Sequence, residues 1–576
     1  MNSFSFHHLF IFTAVIFLLC LNPTTAAMCH PDDEAGLLAF KSGITKDPSG
    51  ILKTWKKGTD CCSWDGVSCP NGNRVVVLTI NIESNNAEIF LSGTISPSLA
   101  KLQHLEGLVF INLKNITGPF PSFLFRLPHL KYVYLENTRL SGPLPANIGA
   151  LNRLDTLTVK GNRFSGSIPS SISNLTRLNY LNLGGNLLTG TIPLGIANLK
   201  VMSNLNLDGN RLSGTIPDIF KSMTKLRILT LSRNRFSGKL PPSIASLAPV
   251  LAFLELGQNN LSGSIPNYLS RFMKLDTLDL SKNRFSGAVP KSLAKLTKIA
   301  NINLSHNLLT DPFPVLNVKN YILTLDLSYN KFHMETIPEW VTTATILTSL
   351  KLAKCGIKMN LDDWKTRQTD LYVSFDLSDN EISGGPVRFL KEQGYLREFR
   401  MSGNKLRFDL RKLSFSNTLE TLDLSRNLVF GKVPAWVARL KTLNLSQNHL
   451  CGKLPATKFP ESVFTGNDCL CGSPLGHCKG SPVRFFKEHG YLREFRMSGN
   501  KLRFDLRKLS FSNTLETLDL SRNLVFGKVP AWVARLKTLN LSQNHLCGKL
   551  PATKFPESVF AGNDCLCGSP LVHCIG

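Results

Sequence analysis

The chain repeats itself about every 24 residues, and that period constrains the fold more than any other feature. Residues 154–162 read LDTLTVKGN and residues 178–186 read LNYLNLGGN. The closing asparagine then returns at Asn210, Asn234, Asn259, Asn283, Asn307, Asn330, Asn380, Asn404, Asn427 and Asn448. The shared unit is LxxLxLxxNxLxGxIP. Its LxLxx piece predicts a short strand whose leucines point inward while the residues between them point outward. The asparagine carries donors and acceptors, so stacked copies can satisfy backbone groups where the chain bends after each strand. Glycine permits the next turn, and proline holds the following segment extended. One unit cannot bury its own leucines, so stability must come from stacking.

The unit is that of the leucine-rich repeats. The expected fold is an α/β repeat: a curved solenoid with a parallel β-sheet on its concave face and disulfide-bonded caps. Residues 9–21, LFIFTAVIFLLCL, are too short a run to span a bilayer comfortably and lead into small residues ending at Ala27. Residues 1–27 therefore read as a secretory signal peptide. Beyond them no stretch reaches the ~18 apolar residues of a spanning helix, so the mature chain is expected to be secreted, with no transmembrane segment.

The 14 cysteines are placed accordingly. Cys29, Cys61, Cys62 and Cys69 form one group, Cys451, Cys469, Cys471 and Cys478 a second, and Cys547, Cys565, Cys567 and Cys574 a third. In an oxidising compartment such groups predict disulfides, and each group leaves three pairings open. His477 beside Cys478 and His573 beside Cys574 make a poor zinc site, because no second histidine lies near either. No metal or cofactor is expected. Cys355 stands where other repeats carry asparagine and reads as a buried thiol filling that position.

The GxIP ending at residues 166–169 and 190–193 resembles the plant extracellular class of these repeats. The opening block, CHPDDEAGLLAFKSGI and then LKTWKKGTDCCSWDGVSC, resembles the plant-type N-terminal cap. The closing pieces NKLRFDLRKLSFSNTLETLDLSRN and NHLCGKLP through NDCLCGSPLGHC are similar to the end of polygalacturonase-inhibiting proteins. That resemblance covers essentially the whole mature chain. It implies that neighbouring cap cysteines pair: Cys29 with Cys61, Cys62 with Cys69, Cys451 with Cys469, and Cys471 with Cys478. The resulting organisation is a signal peptide (1–27), an N-terminal cap (28–77), the repeat array (78–450), a C-terminal cap (451–480) and a final segment (481–576). Two departures stand out. The array is longer than is usual for the inhibitors. Repeats near Asp311-Pro312 and residues 362–364 also lose GxIP, so the convex side is expected to be irregular there.

The final segment is a copy. Residues 386–480 match residues 482–576 at an offset of 96 with five differences: Leu390/Phe486, Gln393/His489, Thr465/Ala561, Gly476/Val572 and Lys479/Ile575. The two copies carry net charges of +8 and +7 out of +26. A cap should end the array, and the second copy restarts in mid-repeat with about three stackable turns, near the minimum for stability. It reads as a recent duplication, or a fault in the derived coding sequence, and as dispensable.

No segment fits GxSxG, the phosphate-loop pattern or HExxH. Glu255, Asp279, Asp326, Asp376 and Asp423 share one exposed strand position, and at ~4.8 Å between strands such a column imitates the paired carboxylates of a glycosidase. Nothing beside them in the sequence raises one carboxyl above another, so they read as part of a solvated binding face. The same face is expected to carry Tyr132, Tyr134, Tyr180 and Phe253 as aromatic anchors, with Arg233, Lys282, Lys351 and Arg400 interleaved. Sequons at Asn115, Asn174, Asn260, Asn303, Asn444 and Asn540 predict glycans. The last three fall on strands of the binding face, where glycans would obstruct it.

The favoured function is protein recognition outside the cell. The resemblance implies defence-related inhibition of a microbial pectin-degrading enzyme by occlusion in the plant cell wall, with the basic surface touching pectin. A non-catalytic partner of leucine-rich-repeat receptor signalling, binding a receptor ectodomain, is the first alternative, and a glycan-active enzyme a weak second. Secretion argues against nucleic acid as the partner of the positive charge.

Overall fold

The computed structural model describes residues 29–571 except 71, 84–85, 87, 314, 317–320, 365–370, 468, 476–491, 501, 510, 512 and 564. The signal peptide, His477, Cys478, His573 and Cys574 lie outside the described residues, as does the side chain of Cys469. The described residues form two compact units, one drawn from Met1–Ile357 with Lys365–Phe375, the other from Lys358–Trp364 with Asp376–Gly576.

The first unit is a stack of leucine-rich turns. A parallel ladder runs through Val77–Asn81, Gly107–Ile111, Tyr132–Glu136, Thr156–Thr158, Tyr180–Asn182, Asn204–Asn206 and Ile228–Thr230. It continues through Phe253–Glu255, Thr277–Asp279, Asn301–Asn303, Thr324–Asp326 and Ser349–Lys351. Leu157, Leu181, Leu205, Leu229 and Leu254 sit opposite one another in register and are wholly buried, so the period-24 leucines form one continuous core.

The asparagines tie the turns together. Asn210 Nδ2 donates to Leu207 O and Asp208 O of its own turn (3.1 and 3.3 Å) and to Leu183 O of the turn before (2.9 Å). Its Oδ1 accepts the Leu188 N–H at 3.0 Å. The pattern recurs at Asn186, Asn234, Asn259, Asn283, Asn307 and Asn330. Cys355 occupies the same place as a buried thiol whose Sγ points to Leu327 O and Ala353 O at 3.6 and 3.7 Å. Replacing Asn210 by alanine is expected to cost about 1–3 kcal/mol, because buried backbone groups lose their partner. A lowered urea midpoint would show it, and an unchanged one would remove the asparagine from the account of stability.

A second sheet flanks the first and was not read from the sequence. It runs through Ser92–Thr94, Asn115–Gly118, Arg139–Pro143, Arg163–Ser167 and Leu187–Thr189. It resumes through Ser213–Thr215, Arg235–Gly238, Asn260–Gly263, Arg284–Ala288 and Leu308–Thr310. The xLxGx segment builds it. Gly214 has φ +80°, and a Cβ there would lie 2.9 Å from Thr191 Cγ2. The convex side consists mainly of short 3-10 turns, such as Ser170–Asn174 and Leu194–Asn198, each entered through the proline of GxIP. Where GxIP fails after Thr310 the second sheet lapses into single bridges, Thr310 with Lys331 and Glu335 with Ile357, and an α-helix, Glu339–Thr342, takes the convex side. This is the irregularity the sequence led one to expect.

The start of the stack is closed by helix Pro31–Ser42. Phe40 of this helix packs between Trp55 and Phe110, and all three are buried. Disulfides join Cys29 to Cys61 and Cys62 to Cys69. Asp33, on the inward side of the helix, has no exposed surface. Its Oδ2 accepts Arg74 Nε (3.1 Å) and the Val75 N–H (2.8 Å), and its Oδ1 accepts Arg74 Nη2 (2.9 Å).

The second unit contains a ladder of Glu398–Arg400, Thr421–Asp423 and Thr442–Asn444, with helix Val387–Glu392 before it. Its side sheet ends on Cys469–Cys471, which puts Cys451 and Cys469 opposite one another. Cys451 and Cys471 each take part in a disulfide, and no bond between the two is implied. The second copy builds a separate three-strand ladder, Glu494–Arg496, Thr517–Asp519 and Thr538–Asn540, over its own buried cluster, which includes Phe504, Leu518, Leu539 and Phe560. Cys547 is bonded to Cys565, and Cys567 is also disulfide-bonded. Among the described residues no helix is long and apolar enough to cross a membrane.

Candidate functional site

The outward residues of the ladder in the first unit fall into two columns. The first position of each strand gives Tyr132, Thr156, Tyr180, Asn204, Ile228, Phe253 and Thr277 in register. The third gives Tyr134, Thr158, Asn182, Asn206, Thr230, Glu255, Asp279, Asn303, Asp326 and Lys351. Tyr132 and Tyr180 flank Thr156, and Phe253 lies three strands beyond Tyr180. Tyr132 is 40% exposed, while Tyr134, Tyr180 and Phe253 are half-buried. Burial pushes the Tyr134 hydroxyl up to about 12, and it raises Tyr180 also, against a hydrogen bond from Asn182 Nδ2 (3.3 Å). Both phenols therefore stay protonated, as donors, at neutral pH.

The acidic column has a structural origin. Asp279 Oδ1 accepts the Ser281 N–H at 2.8 Å, and Asp326 Oδ1 the Ser328 N–H at 3.0 Å. Asn182, Asn206 and Asn303 make the same bond to the residue two ahead. A short acceptor at this position fixes the bend after these five strands, which explains why Asp and Asn recur in the column. Glu255 is the exception among the acids of this column: its carboxylate accepts Thr230 Oγ1 from the preceding strand at 3.1 Å.

The carboxylates are not all bland, which corrects the sequence reading. Glu255 and Asp279 stand opposite one another, and burial raises both above the ordinary carboxylate range. Repulsion from Asp279 adds to the rise at Glu255, and from Asp326 to that at Asp279. The folded protein thus holds protons there more tightly than the unfolded chain, so this contribution to stability falls as pH rises through the raised values. Glycoside hydrolysis needs one carboxyl held protonated and its partner ionised. Here one cause pushes both groups the same way.

Lys282 lies just past the strand face, exposed, with φ +50°. Lys351 stands opposite Asp326. Asp376 and Arg400 belong to the second unit, where Asp376 Oδ1 accepts the Ser378 N–H (2.9 Å) and Arg400 pairs with Glu398 (2.6 Å). Asp423 makes the same bend bond, to Ser425. Asn115, Asn174 and Asn260 lie on the second sheet and the convex side, and Asn174 and Asn260 are exposed. Asn303, Asn444 and Asn540 sit on strand faces with Oδ1 engaged by Ser305, Ser446 and Ser542. Asn204 and Ile228, which complete the row between Tyr180 and Phe253, were missed because only aromatic and charged residue types were sought. Comparing the same offset in every repeat would have found them.

Residues 86–359 match a model described as a leucine-rich repeat region, and residues 30–70 match a leucine rich repeat N-terminal domain. Residues 439–457 and 535–553 each match a single leucine rich repeat, one in each copy. The chain is 35% identical over 130 residues to a polygalacturonase inhibitor of Pyrus communis, covering 22% of this chain and 37% of that protein. It is equally identical over 135 residues to the DNA damage-repair/toleration protein DRT100 of Arabidopsis thaliana, covering 22% and 36%. The chain thus spans little more than a third of the length of these two relatives. Among solved structures it resembles the Arabidopsis receptor kinase HAESA, crystallised with the peptide hormone IDA and the co-receptor SERK1. That match has 25% identity and a TM-score of 0.60 over 94% of this chain and 99% of the other.

Proposed function

We propose, from the premise that this chain is a leucine-rich-repeat protein resembling the plant polygalacturonase inhibitors, that it is a non-catalytic recognition module working outside the cell. Its target is a protein held on the strand face, and the favoured target is a microbial polygalacturonase whose substrate cleft is occluded by docking. The observation that carries this reading is the in-register row from Tyr132 to Phe253, with Tyr134 beside it and the Glu255–Asp279 pair at its far end. Half-buried aromatics offer apolar area already held in place, as binding anchors do. Lys282, Asp326 and Lys351 supply charge of both signs next to it, and Asp376 and Arg400 do so in the second unit. The net charge of +26 supports contact with pectin as well. The leader and the disulfide-bonded caps support secretion, and Asn115, Asn174 and Asn260 are the favoured glycan sites.

A second reading, a ligand-binding partner in receptor signalling, is favoured by the likeness to a hormone-bound receptor ectodomain over nearly the whole chain. An inhibition assay with fungal polygalacturonases separates the two. Loss of reducing-sugar release on adding this protein supports the first, and its persistence across a panel of enzymes sinks it. Sugar release with no enzyme added would instead support a hydrolase. Once a target is in hand, the Tyr180→Ala and Phe253→Ala variants should each weaken binding by about 1–3 kcal/mol while the protein stays folded. Unchanged affinity in both would move the site off the strand face.

A further inference from the structure

The turn at residues 376–385 is covered on its trailing edge by the first C-terminal copy. Arg400 O accepts the Leu377 N–H (3.0 Å) and Ser402 O the Asp379 N–H (2.7 Å), while Lys405 N and Arg407 N donate to Ile382 O and Gly384 O (2.8 and 2.9 Å). Asn404 completes the seam, its Oδ1 accepting the Ile382 N–H and its Nδ2 donating to Leu377 O, both at 2.9 Å. Two ion pairs reinforce it, Lys405 with Glu381 (2.8 Å) and Arg426 with Asp379 (2.7 Å). Every one of these first-copy residues recurs 96 positions later, as Arg496, Ser498, Lys501, Arg503, Asn500 and Arg522.

Among the described residues the same edge of the second copy is less covered, although Arg503 on it bonds His449. Met401 and Leu406 are wholly buried, but Met497 and Leu502 are only half-buried. Asn404 is 8% exposed, whereas Asn500 is exposed and donates to Met497 O and Ser498 O of its own turn. A Cβ on Gly403 would overlap Asp379 Oδ1, yet one on Gly499 would meet none of the described residues within 4 Å. The surface and the shape that fits it are therefore both visible, the latter in the first copy. The incumbent also carries a defect. Gln393, 1% exposed beside helix Val387–Glu392, has neither carboxamide atom hydrogen-bonded among the described residues, and it is one of the five positions that differ, being His489 in the second copy.

We propose that the two copies exchange on one docking surface, residues 482–576 taking the place of residues 386–480 against the turn at 376–385 of the same chain. The exchange replaces one set of contacts by an identical set. Its balance is set by the five differing residues, by the chain connection, and by contacts between the copies such as Arg503 Nη1 with His449 Nδ1 (3.2 Å). The first copy, once displaced, would stand as the second does now.

Cross-linking in the full chain tests this. Glu381→Cys is combined with Lys405→Cys in one variant and with Lys501→Cys in another, and each is treated with a short bismaleimide. Glu381 and Lys405 are well exposed, and Cys355 is buried with its thiol pushed above the usual range, so the added thiols are the ones that react. The 381–501 link is expected within single chains, at a yield within about tenfold of the 381–405 link. Asn404→Ala should raise the 381–501 yield. Asn500→Ala, which leaves the first copy intact, should lower it without touching the 381–405 link. A 381–405 link alone, in the parent and in both alanine variants, overturns the proposal. So does a 381–501 link found only between chains, which would make a second copy of the protein the occupant.

Discussion

Asp33→Ala is expected to destabilise the N-terminal cap by about 3–5 kcal/mol, the usual cost of removing one partner of a buried ion pair. The carboxylate has no exposed surface and takes three hydrogen bonds, two from the Arg74 guanidinium and one from the Val75 amide. Alanine leaves a largely buried cation and a buried N–H without their acceptor, beside the first strand of the ladder. The loss should be read as a lowered thermal midpoint and as faster hydrogen exchange around residues 31–81. Arg74→Leu in the Asp33→Ala background should recover part of it, because the remaining unpaired charge is then gone. A midpoint within experimental error of the parent would mean that the pair contributes nothing to the cap.

Reduction is expected to open the ends of the stack before its middle, with each native disulfide contributing about 2–5 kcal/mol. Cys29–Cys61 and Cys62–Cys69 hold the segment that covers the first leucine layer, and Cys547–Cys565 does the same for the last layer of the second copy. Inner turns are held instead by leucine contacts and asparagine bonds on both sides, neither of which a reductant touches. Hydrogen exchange should therefore rise first near residues 29–69 and 547–567, and also around Cys451 and Cys471. Uniform exposure along the whole array would contradict this order of events.

What could be read from the sequence was whatever repeats. The strand leucines, the asparagine at each bend and the loss of regularity after Asp311-Pro312 are local patterns recurring at one offset, so each copy corroborates the others. The second sheet escaped notice because xLxGx looks like a turn when read alone, and it becomes a strand only when Gly166, Gly190 and Gly214 stack with their neighbours. The sequence presents the Asp residues of the ladder as part of a solvated binding face, and its Asn303 as a sequon. Their bond to the amide two residues ahead was within reach of the D-L-S and N-L-S spacing. Asp33 was not within reach. It sits among Asp32, Asp33 and Glu34 at a helix start, where acids ordinarily face solvent, and its partner is 41 residues away. The raised carboxyls of Glu255 and Asp279 depend on burial between neighbouring strands, which residue identity does not encode.

The bend-fixing bond of the third strand position has an evolutionary consequence. Where Asp or Asn must stand there to shape the backbone, that column is poorly free to change. The first column, from Tyr132 through Asn204 to Thr277, carries no such duty. At its exposed and half-buried members, Tyr132, Tyr180, Ile228, Phe253 and Thr277, new specificities can accumulate by single substitutions, so selection for altered recognition should leave its record in one column and spare its neighbour.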